Sequence, residues 1–215
     1  MININKVIRT LILSDILIYS SWGLIAPIIA VFINDSIRGG DVEVAGTAAG
    51  VYWITKSILQ VPIGKYLDRN RGKIDAEKYD FWFLVIGTFV ASLTPLILLI
   101  SSEPWHIYVS DFVYGAAMAM VIPPWGAIFV RHMDKGREAE TYALESSALG
   151  LGVGATGIVG GFIAKFIGFT PLFIGVSVFG ILGTALIITI KKNILSREDD
   201  GGRTKHYARH IKRYI

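Results

Sequence analysis

The chain has no cysteine among its 215 residues. That excludes disulfides and thiolate metal sites and leaves the redox compartment unmarked. Charge is scarce as well: Asp, Glu, Lys and Arg make up 18% of residues against 53% hydrophobic ones, and the mean hydropathy is +0.53. A soluble domain of this length needs more charge to cover its surface. Two stretches, Phe81 to Ile100 and Pro171 to Ile190, hold no ionisable side chain. At about 1.5 Å per residue, each is long enough as a helix to span a hydrocarbon core about 30 Å thick. Chemistry-bearing motifs are equally thin. No HExxH and no G-x-S-G occurs, no span carries H-x-x-x-H, and His106 and His132 stand at span boundaries, where an interfacial role suits them. No metal site and no cofactor is expected.

What remains is a string of apolar runs. The expected spans are 8–33, 44–67, 81–101, 106–130, 139–167 and 170–190, all helical, because an open sheet leaves its backbone unsatisfied in lipid and a β-barrel needs alternating ten-residue segments. Residues 1–192 form the membrane domain and 193–215 a basic tail, solvated or lying on anionic lipid. The run Ile8 to Ile33 is too long for the apolar core of a cleaved signal peptide. The net charge of +4 comes from short loops and the tail, which points to membrane orientation and not to nucleic acid. With the N-terminus inside, eighteen Lys and Arg fall on the inner side and only Arg38 and Lys165 on the outer. Both termini are therefore expected in the cytoplasm, with the protein in the cell (inner or plasma) membrane.

An internal repeat is visible. Ser14-Asp15 is followed twelve residues later by Pro27, and Ser110-Asp111 twelve residues later by Pro123; the offset of 96 also lays Gly64 on Gly160. Three helices separate the copies, so the second enters from the opposite side, as in the inverted repeats of many secondary transporters. Chance likeness between two apolar helices is the competing explanation.

Ionisable residues inside spans are few: Asp15, Lys56, Asp111 and Glu145, with Lys165 near an end. A charge at a helix centre costs at least about 2.5–3.5 kcal/mol, so it faces a cavity or a partner. Spans one, two, four and five carry these residues and are expected to build the polar interior, while the charge-free third and sixth face lipid. Asp15 and Glu145 fall roughly 10 Å from the inner face, Lys56 near mid-membrane and Asp111 roughly 8 Å below the outer face. Lys56 is thus in reach of Asp15 or Glu145, with inter-helix ion pairing or snorkelling as the plainer reading. Trp22 and Trp125 lie deep, Tyr19 is a turn before Trp22, and all three join the candidate cavity. Trp53 lies deep too, but packing explains it better, and Trp82 and Trp105 read as interfacial anchors.

Residues 152–157 match G-x-G-x-x-G, but no strand precedes them and they sit inside an apolar run, so no dinucleotide is expected. The pairs Gly150/Gly154 and Gly157/Gly161 fit close helix packing instead. Pro27, Pro62, Pro95 and Pro123-Pro124 are expected kinks or hinges.

The loop Gly64-Lys65-Tyr66-Leu67-Asp68-Arg69-Asn70-Arg71-Gly72-Lys73 resembles the G-x-x-x-D-[RK]-x-G-[RK] loop between helices two and three of the major facilitator superfamily. Gly64, Asp68 and Arg69 match directly, and Gly72 and Lys73 after one inserted residue. The resemblance implies a cytoplasmic latch made by Gly64, Asp68, Arg69, Arg71, Gly72 and Lys73. Asp111-Phe112-Val113-Tyr114-Gly115 stands where the family's fourth helix carries R-[FL]-x-x-G, with Asp111 in place of the Arg linked to proton transfer, so that mechanism does not carry over. Thr156 to Gly161 is similar to the fifth-helix G-P-x-x-G-G of drug antiporters without its proline, and Gly168 to Phe173 is similar to the family's entry to helix six. The likeness covers residues 8–192 and implies an all-α membrane protein: six transmembrane helices as two inverted three-helix repeats, a major-facilitator-like half. It further implies a secondary active transporter that moves a small solute by alternating access, with its partners a lipid bilayer and a second six-helix bundle in a parallel homodimer or another half-transporter. A non-transporting membrane subunit is the alternative, and an intramembrane enzyme the minor one.

Overall fold

Helix α1, Lys6–Gly23, begins where the Asn5 side chain accepts a 2.9 Å hydrogen bond from the Val7 amide. It ends earlier than expected. The run 8–33 is not one helix: residues 24–28 form a turn and a short helix α2, Ile29–Ser36, follows. Pro27 lacks an amide hydrogen and its ring crowds the carbonyl four residues back, so the ladder breaks there. The computed structural model describes residues 5–70 and 76–195, and within them all regular structure is helical. The remaining helices are α3 (Val42–Asn70), α4 (Ala76–Leu99), α5 (Pro104–His132), α6 (Glu138–Phe166), α7 (Thr170–Thr189) and α8 (Lys191–Leu195). Pro62, Pro95, Pro123 and Pro124 all lie inside continuous helices, so of the expected breaks only Pro27 interrupts one.

Four of these helices, α4 to α7, are long and apolar enough to cross a membrane. The less apolar α1 and α3 carry Asp15 and Lys56 in their middles. Turn chemistry joins the rods: Pro104 and Pro171 occupy first-turn positions of α5 and α7, where a missing amide hydrogen costs nothing. Gly168, at φ 99°, closes α6 by donating to the Ile163 and Ala164 carbonyls.

The long helices pack in the order α3, α5, α4, α7, α1, α6. The α4–α7 seam is tight because Gly180 lies against Ser92, where an added methyl would collide with its hydroxyl. Thr88, Ser92 and Thr184 turn their hydroxyls back onto carbonyls of their own helices at 2.7, 2.7 and 2.9 Å, which satisfies them without water. The α1–α6 seam is closer still: a Cβ on Gly160 would overlap the Leu24 carbonyl, and one on Gly152 the Ser20 hydroxyl. A Cβ on Gly157 would make ordinary contact with Pro27 at 3.5 Å, whereas one on Gly150, Gly154 or Gly161 would meet no other helix within 4 Å among the described residues. The close approach on α6 therefore uses Gly152 and Gly160 in place of the paired stripes Gly150/Gly154 and Gly157/Gly161.

Two apolar clusters fill the two ends of the bundle, one around Leu11, Phe81 and Phe129, the other around Ile33, Ile107 and Phe173. Ile194 of α8 is fully buried against the first cluster, while its neighbour Asn193 is exposed. The rest of the expected tail, like the loop residues Arg71, Gly72 and Lys73, lies outside the described residues.

Candidate functional site

The inner faces of α1, α4, α5 and α7 enclose a cavity of about 20 Å³ lined by Asp15, Tyr19 and Trp22 of α1, Thr88 and Ser92 of α4, and Tyr114 of α5, among others. Spacings of four and seven residues put Asp15, Tyr19 and Trp22 on one face of α1. The volume suits a single water molecule. Because α4 and Ile187 of α7 also line it, the two helices expected to face only lipid contribute to the interior as well.

Asp15 is only 4% exposed, and its Oδ2 accepts a 2.8 Å hydrogen bond from Trp125 Nε1 across from α5. Trp125 is fixed in turn by stacking on Phe129, with ring centroids 4.6 Å apart. Glu145 of α6, also buried, is near enough to act electrostatically on Asp15 and Tyr19. Two carboxylates from different helices thus bear on one point, with a single indole N–H between α1 and α5.

Beside the cavity runs an aromatic column. Trp22 stacks on Tyr114 at 4.2 Å, Tyr114 stacks on Tyr52 at 5.1 Å, and Tyr52 meets the edge of Trp53 at 5.1 Å. Lys56 does not pair with Asp15 or Glu145; its Nζ sits 3.6 Å from the Trp53 ring centroid and 5.3 Å from that of Tyr52. Gly115 makes this possible, since a Cβ there would press on the Tyr52 carbonyl and Thr55, so α5 and α3 touch backbone to backbone. Asp111, one turn before Tyr114, lines neither the cavity nor an ion pair among the described residues, but lies close enough to Tyr52 and Tyr114 to act on both.

Of the seven residues expected in the cavity, Asp15, Tyr19 and Trp22 line it, Trp125 is bonded to it, Glu145 borders Asp15, and Lys56 and Asp111 flank the aromatic column. Sequence reasoning missed Tyr52 and Tyr114. The signal was present: each lies a helical turn from an intramembrane charge, Tyr52 before Lys56 and Tyr114 after Asp111.

At the end of the bundle where α3 meets α4, a Cβ added to Gly64 would stand 3.9 Å from the Pro123 side chain, and Asp68 and Arg69 occupy the exposed last turn of α3. A second charge cluster stands there that the sequence did not single out. Arg131, in the last turn of α5, holds Asp80 at 2.5 Å and Glu77 at 3.3 Å from the first turns of α4. Asp80 is almost wholly buried, so this pair fastens α4 to α5 at that end.

An all-helical bundle with apolar helices of spanning length and a small polar interior defines a multi-pass membrane protein. The family model for the Major Facilitator Superfamily matches residues 11–209, and the chain belongs to that superfamily. Over 170 residues it is 28% identical to an uncharacterized MFS-type transporter of Methanocaldococcus jannaschii, an alignment that covers 79% of this chain and 41% of that relative. The chain therefore spans less than half the length of the curated relative it matches, and together these likenesses support a transporter-like role.

Proposed function

We propose that this bundle is one half of a secondary active transporter that moves a small solute by alternating access, crossing the cell membrane six times with both termini in the cytoplasm. The observation that carries the reading is the meeting of Asp15, Trp125 and the Trp22–Tyr114–Tyr52 column on the inner faces of α1, α5 and α3. Buried carboxylates at membrane depth mark solute or ion pathways.

The order of packing supports the inverted repeat. Exchanging each helix for its partner at the 96-residue offset swaps α1 with α5, α3 with α6 and α4 with α7. The row α3, α5, α4, α7, α1, α6 then reads the same backwards.

The cavity has room for one water, too little for a solute, while the outermost helices of the row keep open faces. On α3 these show Ile54, Ile58 and Val61, and on α6 Leu151, Ile158 and Phe162 beside Gly154 and Gly161. A second copy in a parallel C₂ dimer would set α3 of each bundle against α6 of the other, give those open glycines a backbone to approach, and enclose the aromatic column. Two differently tagged copies should then co-purify from the membrane. Recovery of single copies alone would remove the dimer.

Function is tested by uptake into proteoliposomes from a panel of cationic, neutral and anionic small solutes. At least one solute should accumulate and do so at least about tenfold more slowly with Asp15→Asn, the scale of one lost charged contact. Equal, background-level uptake for every solute would favour the non-transporting subunit.

A further inference from the structure

Within the long helices stand three carboxylates, Asp15, Asp111 and Glu145, and one ammonium, Lys56, and the ammonium pairs with none of them. The ion pairs of the described residues run elsewhere, between Arg38 and Glu103, Arg131 and Glu77 or Asp80, and Arg137 and Glu140. Lys56 is 9% exposed, yet its charge rests on ring faces, 3.6 Å from the centroid of Trp53 and 5.3 Å from that of Tyr52. A cation stripped of water is held there by the negative faces of the rings. The platform is therefore already occupied by a cation, on a four-carbon stem flexible enough to withdraw. It is also reachable: Trp53 is 58% exposed at the edge of the bundle, on α3, and Tyr52 joins it through Tyr114 and Trp22 to the cavity that Asp15 lines. Asp111 stands one helical turn before Tyr114, the ring that stacks on Tyr52 at 5.1 Å, and no basic side chain among the described residues forms an ion pair with it.

We propose that the Tyr52–Trp53 face, with Asp111 as counter-charge, binds an organic ammonium solute, and that the Lys56 ammonium is its tethered surrogate, which the solute displaces. Quaternary or alkyl ammonium groups fit the chemistry, since they present a weakly hydrated charge to ring faces, whereas an anion is repelled by those faces and by Asp111 and a neutral solute gains nothing from them. The inference deepens the carrier reading and rests on it for the view that the bound cation is cargo.

The test uses the purified full chain and two probes, choline and its uncharged carbon isostere 3,3-dimethylbutan-1-ol, each titrated against tryptophan fluorescence. Choline should bind the unaltered protein at least about tenfold more tightly than the isostere, the size of a desolvated cation–π contact. Lys56→Met should tighten choline binding about tenfold and leave the isostere unchanged, and Lys56→Arg, which keeps a cation on the rings, should not tighten it. Equal binding of the two probes to the unaltered protein overturns the proposal, with no variant required. So does choline binding that Lys56→Met leaves unchanged or weakens. Choline bound but not carried into proteoliposomes supports the site and removes the carrier reading. Uptake of a neutral or anionic solute without choline binding overturns the site and keeps the carrier.

Discussion

The indole of Trp125 donates a 2.8 Å hydrogen bond to the carboxylate of Asp15, two residues 110 positions apart that meet from facing helices. The bond does two things. It gives a buried carboxylate a partner where an unpartnered one costs the full desolvation of the group, and it ties α1 to α5.

Trp125→Phe keeps the ring that stacks on Phe129 but removes the donor, so it should lower stability by about 1–3 kcal/mol, the cost of orphaning a buried acceptor. Asp15→Asn retains an oxygen acceptor for the indole and should fold nearly as well, while losing the charge that uptake needs. Thermal unfolding in detergent, run beside uptake, separates the two variants. Similar melting losses in both would argue that the charge itself is structural.

Replacing Arg131 removes the guanidinium from the nearly buried Asp80. Arg131→Gln should destabilise the bundle by about 3 kcal/mol, toward the low end for breaking a buried pair because Arg131 itself is 30% exposed. Arg131→Lys should recover only part of this, since an ammonium cannot serve Asp80 and Glu77 with a forked geometry. Full recovery by lysine, read as an unchanged melting temperature, would show that only a point charge matters there.

The glycines of α6 divide sharply. Gly160→Ala puts a methyl into the Leu24 carbonyl and should sharply reduce the yield of folded protein. Gly154→Ala meets open space within the bundle and should leave the single bundle neutral or stabilised by up to about 1 kcal/mol through helix propensity, its cost appearing only in the dimer. Comparing melting temperatures of the two variants checks the helix rotation directly. A Gly160→Ala protein as stable as its parent would mean that α6 is turned away from α1.

The natural absence of cysteine makes orientation easy to read. Ser102→Cys should react with a membrane-impermeant maleimide in intact cells, and Asp134→Cys only after permeabilisation. The reverse pattern would invert the proposed topology.

Much of the fold was legible because it depends on local physics. Charge-free runs name α4 and α7 without help from any other part of the chain, and residues 15, 19 and 22 share a helix face by spacing alone. The rest depends on how helices are rotated and where they touch. Pro27 breaks its helix and Pro62, Pro95 and Pro123 do not, although the residue is the same. The backbone at Leu24 is also where α6 comes closest, and no local pattern announces that. Which α6 glycines meet α1 is likewise a question of rotation: Gly152 and Gly160 do, while Gly154 and Gly161 are left open. Charge alone puts Lys56 in reach of Asp15 or Glu145, but the rings of Trp53 and Tyr52, three and four residues before it on the same helix, take its ammonium instead.

Alternating access is tested most directly by the reach of a thiol reagent. A single cysteine at Ile54, on the open face of α3 that the second bundle would cover beside the aromatic column, is placed in proteoliposomes of fixed orientation and exposed to an impermeant thiol reagent from one side at a time. The account predicts reaction from either side, at rates that shift in opposite directions when a transported solute is added. Reaction from one side only, under every condition, would contradict it.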